Sequence, residues 1–376
     1  QGQVREPMEY RLNRRTGDRI SMLGFGTSSI PYTEEGEAVE TLRMAYDAGI
    51  NYFDLATAES NCFGLFGKAL GDVRAKVMYQ VHFGAQYAAG KSYGWTTKLD
   101  SVKKSVAWQL EQLGTDYIDY GFIHCLDERK DWDRYVKNGV LDWLTGMKSQ
   151  GVVRHIGLST HNPDTAEAIL DTGLVDMLMF SINAGYDYSH GEFARGSAAR
   201  RMALYRRCEA EGIGISVMKA FSGGQLLDAK TSPFGIALTP WQCLQYALDR
   251  PGVLTVLPGV RTRKDLQSVL GFLDASAEER DYSAISSLTP KDMEGVCVYC
   301  NHCKPCPAGL DVGLINKYHD LAKAGDALAA DHYLTLDLKA DACTGCGHCN
   351  SRCPFHVDQV SRMKEIAAYF AGRGEG

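Results

Sequence analysis

The residues most able to do chemistry in this chain are cysteines. Twelve are present, and eight of them fall in two groups near the carboxyl terminus. The groups read CVYCNHCKPCP and CTGCGHCNSRCP, so each has four cysteines separated by only two or three residues. Thiolates spaced so closely are typical of metal binding. The eight candidate metal ligands are Cys297, Cys300, Cys303, Cys306, Cys343, Cys346, Cys349 and Cys353.

The spacing of the second group predicts iron–sulfur chemistry. C-x2-C-x2-C-x3-C-P is the run of bacterial ferredoxins, and eight ligands suffice for two 4Fe–4S clusters. Because the last cysteine of each such run ligates the other cluster, we expect Cys306 to join the second trio and Cys353 the first. Structural zinc is the alternative, although zinc sites usually combine two pairs across a longer loop. A disulfide framework is disfavoured, because a long core-forming chain precedes the cysteines.

Composition limits the remaining classes. The 376 residues are 45% hydrophobic and 23% charged, which is ordinary for a globular protein and excludes disordered and collagen-like chains. The net charge of −6 offers no basic surface for nucleic acid or anionic lipid. No apolar run could span a bilayer, and the first residues lack the apolar core of a signal peptide. We expect a cytoplasmic protein without nucleic-acid or membrane partners, while the initial Gln leaves open a trimmed leader or a tag.

Short β-rich apolar runs alternate with helical patterns between about residues 20 and 290. Strand followed by helix, eight times, predicts an α/β fold of the (β/α)8 TIM-barrel type. A doubly wound sheet is disfavoured, because MLGFGTSSI stands where a Gly-rich dinucleotide turn would follow the first strand. The predicted strands are residues 20–25, 52–54, 77–82, 118–124, 155–159, 177–182, 214–218 and 254–258.

A second, smaller domain is predicted where the composition turns to cysteine. A polar helical stretch separates the two cysteine groups, so we expect a small helical two-cluster ferredoxin-like domain. The predicted domains are residues 8–290 and 291–376. Within the barrel, TPWQCLQYALD predicts a helix with Thr239 as its N-cap and Pro240 at its first position.

Polar side chains gather at the predicted carboxyl ends of the barrel strands, where TIM-barrel enzymes place their chemistry. Asp54 and Glu59 follow the second strand, His82 ends the third, and His124 follows the fourth. The run PGVRTRKDLQ after the last strand places cations before a helix, which suits phosphate. Further polar positions at these ends are Ser159, Thr160, His161, Lys219, Arg261, Thr262 and Arg263.

The order of these motifs resembles the aldo-keto reductase family, in the branch with a C-terminal ferredoxin-like 4Fe–4S domain. LGFGT, AYDAGINYFDLA, LGTDYIDYGFIH, HIGLST, GIGISVMKAFSGG and LPGVRTRKDLQ are similar to the family's landmarks in their usual order. The resemblance implies carbonyl reduction by NADPH with an Asp, Tyr, Lys and His tetrad, in which the Tyr hydroxyl donates the proton. The nucleotide contacts that it implies are Gly26, Thr27, Ser159, Thr160, Lys219, Gly259, Arg261, Thr262 and Arg263.

This chain departs from the family pattern at its active site. Asp54 and His124 match the Asp and His of the tetrad. Glu59 stands at the Tyr position and His82 at the Lys position, so we expect poor activity in ordinary carbonyl reduction. The nicotinamide side is altered as well, because Met218 stands where the family usually has an aromatic residue against the ring.

Three hypotheses follow for the barrel. In the first, Asp54, Glu59, His82 and His124 form a rebuilt catalytic group, in which Glu59 and His82 act as an acid/base pair tuned by their neighbours. In the second, the barrel has lost hydride chemistry, and electrons enter or leave through the clusters. In the third, Glu59, His82 and His124 hold a metal ion.

Electron counting bears on the cofactors. Nicotinamide transfers two electrons as hydride and each cluster transfers one, so joining them normally needs a flavin or a substrate that tolerates radicals. NADP(H) stays open, and so does a flavin, although no flavin motif is present. We expect an oxygen-sensitive oxidoreductase that acts on a small conjugated or aromatic molecule, with a ferredoxin or flavodoxin-type electron donor as a candidate partner. The alternative is a non-enzymatic electron-transfer or scaffold subunit with a vestigial barrel, which Met179, Met218 and Phe83 filling the mouth would indicate.

Overall fold

The computed structural model describes residues 8–288, 294–323 and 326–373. Eleven strands lie in these described ranges, seven of them in a parallel barrel. The strands are β1 Tyr10–Leu12, β2 Arg19–Ser21, β3 Tyr52–Asp54, β4 Met78–Phe83, β5 Ala85–Gln86, β6 Gly94–Trp95, β7 Ile118–Ile123, β8 Val153–Thr160, β9 Met177–Ser181, β10 Gly214–Met218 and β11 Val253–Val256.

The barrel is formed by β3, β4, β7, β8, β9, β10 and β11, which pair side by side and parallel in that order. Residues 23–26 nearly close the ring through isolated parallel bridges to both of its edges. The predicted barrel is therefore confirmed, but the predicted first strand, residues 20–25, is wrong: only β2 is a strand there, and it pairs antiparallel with β1. Gly24 permits the close approach, because a Cβ there would lie 2.7 Å from Cδ2 of Leu257.

Helices surround the barrel and continue beyond it. The α-helices are α1 Glu35–Asp47, α2 Cys62–Leu70, α3 Leu99–Leu113, α4 Arg129–Lys137, α5 Val140–Ser149, α6 Pro163–Leu170, α7 Ala184–Asp187, α8 Ala198–Glu211, α9 Pro240–Leu248, α10 Arg263–Leu270, α11 Val312–Lys323, α12 Ala327–Leu334, α13 His348–Arg352 and α14 Gln359–Phe370. Short 3₁₀ turns lie at Ile30–Tyr32, Gly71–Lys76, Ser222–Leu227, Gly271–Asp274, Ser283–Leu288 and Ala340–Ala342. The predicted start of α9 is confirmed, since Thr239 and Gln242 form a reciprocal capping box and Pro240 takes the first position.

The hairpin of β1 and β2 lies at the amino-terminal end of the barrel. One guanidinium nitrogen of Arg11 donates to the carbonyl oxygens of Leu248 and Val253, each at 2.8 Å. These bonds hold the hairpin against the turn that leads into β11. The opposite, carboxyl-terminal end of the strands is left to loops, so the site must be built there.

The cysteine-bearing region has a small helical core of its own and packs on the barrel. Ile315, Met363 and Ile366 lie in that core. Val298 and Phe355 instead join the core of the barrel, and Arg206 of α8 donates to the carbonyl of Cys297. The predicted domain boundary, between residues 290 and 291, lies outside the described residues. In the part of the chain that the structure describes, no helix is long and apolar enough to cross a membrane.

Candidate active site and iron–sulfur ligands

A cavity of about 990 Å³ opens at the carboxyl ends of the barrel strands. Its wall comes from the loops that follow the strands, as in other barrels of this type. Among the described residues, none beyond Gly259 lines it, so the cysteine-bearing region does not contribute to this cavity. Of the predicted site residues, the wall includes Gly26, Thr27, Asp54, Glu59, His124, Ser159, Lys219 and Gly259.

Four side chains form a hydrogen-bonded row from the barrel interior to this cavity. Oδ1 of Asp54 lies 2.6 Å from Nε2 of His82. Nδ1 of His82 lies 2.9 Å from Nδ1 of His124, and Nε2 of His124 lies 2.7 Å from the hydroxyl of Tyr93. We call Asp54, His82, His124 and Tyr93 the proton row. Three of its members were predicted as site residues, and the structure brings those three together.

The protonation state of Asp54, the one carboxylate in the proton row, fixes the direction of every hydrogen bond in it. If Asp54 is ionised, it accepts, so His82 donates through Nε2–H and keeps Nδ1 as an acceptor. His124 then donates through Nδ1–H and accepts at Nε2, which leaves Tyr93 to donate its O–H. Both imidazoles are neutral in this arrangement. Burial, together with the neighbouring His82, moves the pKa of His124 well below its usual value, which agrees with a neutral ring.

Tyr93 is the member of the proton row that sequence reasoning missed. It directly precedes β6, at the end of the loop that joins β5 to β6, and its backbone N–H donates to the carbonyl of Ala58 at 2.9 Å. The neighbouring Ser92 forms an antiparallel bridge with Glu59. The hairpin is thereby tied to the loop after β3, and this places the phenol above His124. Burial raises the pKa of Tyr93, so the phenol keeps its proton near neutrality.

Glu59 lines the cavity, but its carboxylate is used by this loop. Ser92 donates to it at 2.8 Å and Tyr32 at 3.3 Å. No hydrogen bond joins it to the proton row among the described residues, so the expected Glu59–His82 pair stays a prediction without a contact. The metal hypothesis for Glu59, His82 and His124 also stays a prediction, since these three do not appear among the described groups whose ligand atoms lie within 4.8 Å of one another.

The predicted cofactor contacts divide into cavity residues and structural residues. The Thr27 hydroxyl donates to the carbonyl of Asp54 at 2.7 Å, and the Ser159 hydroxyl accepts from the backbone N–H of Cys125 at 2.8 Å. Thr160 is fully buried and donates to the carbonyl of Leu126, so it turns away from the cavity. Thr262 is the N-cap of α10.

The cations predicted to hold phosphate are paired with the chain's own carboxylates. Arg263 lies 2.8 Å from a Glu37 oxygen and 2.6 Å from a Glu40 oxygen, and Arg261 lies 3.3 Å from Asp265. The backbone N–H of Arg263 donates to Glu37 and that of Arg261 donates to Asp265. The Arg263 guanidinium lowers the pKa of Glu37, which therefore stays ionised. Three carboxylates thus surround two guanidinium groups and occupy the N–H donors that an anion would need.

The eight cysteines lie in two sets that do not follow their order in sequence. Cys306 lines one pocket together with Cys343, Cys346 and Cys349, whereas Cys353 packs against the core of the barrel. Cys297 belongs to that barrel core and Cys300 packs against it. Cys303 is buried in the small helical core. Burial raises the pKa of its thiol, with smaller contributions from Cys300, Cys297, Cys353 and Cys349, and three of these four neighbours are the cysteines next to the barrel. We call Cys297, Cys300, Cys303 and Cys353 the inner set, and Cys306, Cys343, Cys346 and Cys349 the outer set.

The chemistry of the two sets fits iron–sulfur clusters. Each set offers four thiols and no other type of ligand, and the second group has the C-x2-C-x2-C-x3-C-P spacing of cluster-binding runs. Bound clusters would supply one-electron transfer.

Comparison with known proteins agrees with this architecture. The profile of the aldo/keto reductase family matches residues 22–239, and that of a 4Fe–4S dicluster domain matches residues 295–357. An uncharacterized oxidoreductase of Bacillus subtilis, YqkF, is 24% identical over 298 residues, which are 73% of this chain and 94% of that protein. L-galactose dehydrogenase of Arabidopsis thaliana is 30% identical over 196 residues, so the match spans 48% of this chain and 59% of that relative.

A solved structure supports the same barrel. The aldo-keto reductase AKR11C1 of Bacillus halodurans, in its holo form, superposes with a TM-score of 0.58 at 21% identity and covers 75% of this chain and 96% of its own. This similarity concerns the fold alone. With the matching profile over more than half of the residues, the chain belongs to the aldo/keto reductase family and is an oxidoreductase that carries a 4Fe–4S dicluster domain.

Proposed function

We propose that this protein is an iron–sulfur reductase, in which the proton row delivers a proton to a small conjugated or aromatic carbonyl compound in the mouth cavity. The observation that carries the proposal is the unbroken row of hydrogen bonds from Asp54 to the hydroxyl of Tyr93. The row ends in the cavity at Tyr93, and its other three members are buried, with His82 fully buried. A polar row inside a barrel is costly unless every member is satisfied.

The proton row works in both directions. With Asp54 ionised, every link donates toward Asp54, so Tyr93 can accept a proton from a substrate hydroxyl as its own proton moves to His124. One added proton on Asp54 reverses each link: His82 donates to His124, and His124 donates to Tyr93. The Tyr93 O–H is then free to protonate a developing alkoxide in the cavity. Reduction therefore uses the loaded row, and reloading occurs through the same residues.

Tyr93 would take the role that the family assigns to its tetrad tyrosine, from another place in the chain. Glu59 occupies the family's tyrosine position, and its carboxylate is bonded to Ser92. The family's lysine is replaced by His82, which relays a proton and does not stabilise a phenolate by charge. We infer that Asp54, His82 and His124 position and load Tyr93, and that Tyr93 alone contacts the substrate oxygen.

The source of electrons is the second part of the proposal. The groups that would hold an NADP(H) phosphate do not fit that role as they stand, because Glu37, Glu40 and Asp265 already satisfy Arg261 and Arg263. The outer and inner cysteine sets do fit iron–sulfur clusters. We therefore favour electrons from the clusters over those of a tightly held nicotinamide. Cys346 of the outer set is exposed, which suits electron entry from a ferredoxin or flavodoxin-type donor.

The substrate class follows from the cavity wall. Met179, Met218 and Phe193 give it an apolar and aromatic lining, and Lys219 adds one cation. Such a wall suits a flat conjugated molecule with a polar end. The rival function, a vestigial barrel in an electron-transfer subunit, is disfavoured because Met179 and Met218 line the cavity without filling it. Phe83 is fully buried and packs at 5.2 Å from the ring of Trp143.

Single-turnover reduction under argon tests the proposal. Cluster-replete protein is reduced with dithionite, freed of excess reductant and mixed with a panel of conjugated and aromatic ketones and aldehydes. We expect the visible cluster absorbance to return, with two cluster electrons and two protons consumed per carbonyl reduced: one proton reaches the oxygen through Tyr93, and the other reaches the carbon from water. If no panel member reoxidises clusters that ferricyanide reoxidises at once, the reductase proposal fails. Micromolar binding of NADPH, with substrate reduced while the clusters stay oxidised, would overturn the electron source.

A further inference from the structure

Beside the proton row, the ends of β7 and β8 bring together a thiol, a carboxylate and an imidazole. Ligand atoms of Cys125, Asp127 and His161 all lie within 4.8 Å of one another. Cys125 and His161 also line the mouth cavity. None of the three belongs to the proton row or to either cysteine set. We call them the β7–β8 triad.

His161 turns its Nδ1 toward the carboxylate of the triad. Nδ1 lies 3.0 Å from Oδ2 of Asp127, so these two atoms could bind one ion, whereas Nε2 lies on the far side of the ring. In the described part of the chain Nε2 has no hydrogen-bond partner that fixes the tautomer, so the ring can carry its proton there and leave Nδ1 as a ligand. The residue is only 7% exposed, and its ring stacks on Phe193 with centroids 4.3 Å apart.

The other two side chains are held in place without a ligand. Oδ1 of Asp127 accepts from the Thr160 hydroxyl at 3.0 Å and from the backbone N–H of His161 at 2.7 Å, which leaves Oδ2 facing the imidazole. Cys125 has a left-handed backbone with φ of 48°. Its N–H donates to Ser159, and its carbonyl accepts from Trp95. The surroundings therefore fix the thiol in a conformation that an L residue rarely adopts.

We propose that Cys125, Asp127 and His161 bind one divalent transition-metal ion, with zinc the best match, in the wall of the mouth cavity. Thiolate, carboxylate and imidazole are all zinc ligands, and three protein ligands with one open position are the pattern of catalytic zinc. One thiolate and one carboxylate balance the charge of the ion. Because Cys125 and His161 line the cavity, the open position would be reached from there by an oxygen of water or of a bound small molecule.

This site is independent of the proposed function, because metal binding is measured without turnover. Cluster-replete protein is treated with a chelator under conditions that leave its iron content unchanged, and is then titrated anaerobically with zinc chloride by calorimetry. We expect one zinc per chain, with affinity at least tenfold weaker in Cys125→Ser and in His161→Gln. Cys243→Ser, which removes a buried thiol in α9, is the matched control and should bind like the unchanged protein.

Zinc-edge X-ray absorption decides where the ion sits. The proposal requires one sulfur at about 2.3 Å, with nitrogen and oxygen at about 2.0–2.2 Å. Four sulfur neighbours would mean that zinc had entered the inner or outer set, and this result would overturn the proposal. Zinc binding unchanged in both variants, or none at millimolar zinc, would overturn it as well. Asp127→Asn, which keeps the side-chain volume, provides a third variant if Cys125→Ser does not retain its iron.

Discussion

Tyr93→Phe removes the atom that the proposed mechanism places against the substrate. The substitution keeps the ring and deletes one hydroxyl, whose only hydrogen bond given by the structure is to His124 at 2.7 Å. A hydrogen bond of this kind contributes about 1 kcal/mol net, and Tyr93 is 41% exposed, so the variant should fold. Loss of a positioned proton donor lowers rates by roughly 10²–10⁴-fold, which corresponds to about 2.7–5.4 kcal/mol of activation free energy.

The assay is single-turnover reoxidation of reduced clusters by the best panel substrate, read in stopped flow. Tyr10→Phe is the matched control, since Tyr10 is 36% exposed and its hydroxyl also makes one hydrogen bond, to the carbonyl of Gly49, at the other end of the barrel. We expect the control to react within twofold of the unchanged protein. If Tyr93→Phe also reoxidises its clusters within twofold of the unchanged rate, with unaltered substrate affinity, then Tyr93 is not the proton donor.

Three further predictions concern the row, the phosphate site and the clusters. His82→Gln should interrupt the row next to Asp54 and slow reoxidation about 10²-fold with unchanged substrate affinity, measured by equilibrium dialysis; an unchanged rate would exclude a relay through His82. Joint substitution of Glu37 and Glu40 by Gln should release Arg263 and tighten NADPH binding at least tenfold in fluorescence titration. Glu35→Gln, whose parent residue pairs with Lys68, is the control, and equal affinity in both variants would refute the masking of Arg263. Cys306→Ser should lower iron from about eight to about four per chain and leave the same spin signal as Cys343→Ser; a signal matching that of Cys297→Ser would contradict the outer set.

Much of the barrel could be predicted from sequence because its strands are buried on both faces. Runs such as residues 118–124, which read IDYGFIH, are rich in β-branched and aromatic residues, so their composition and length identify them. The segment at residues 20–25 was predicted as one continuous strand, but beyond β2 it makes only isolated parallel bridges to the two edges of the barrel. Close backbone approach depends on what lies on the other side, which in this case is Leu257.

The candidate site was predictable only where residues follow strands directly. Asp54, His82 and His124 end adjacent strands, so topology alone brings them together. Tyr93 lies in a hairpin whose position depends on pairing with residues 58–60, and neither composition nor spacing indicates that pairing. Glu37 and Arg263 are 226 residues apart, so their ion pair could not be anticipated from the motif PGVRTRKDLQ. The only signal for Tyr93 is an aromatic residue in a long insertion between β4 and α3.

The different depths of the two cysteine sets bear on how the protein is matured. Cys297 and Cys303 of the inner set are less than a tenth exposed, and Val298 between them packs in the barrel core, whereas only Cys349 of the outer set is buried as deeply. We therefore expect iron to reach the inner thiols before the cysteine-bearing region docks on α8. Cys346 of the outer set stays open to solvent after docking. Folded protein stripped of iron should regain the outer cluster on reconstitution, whereas the inner cluster should require passage through an unfolded state. The packed barrel would then block late loading of the inner cluster, so chains that docked without iron would stay without it.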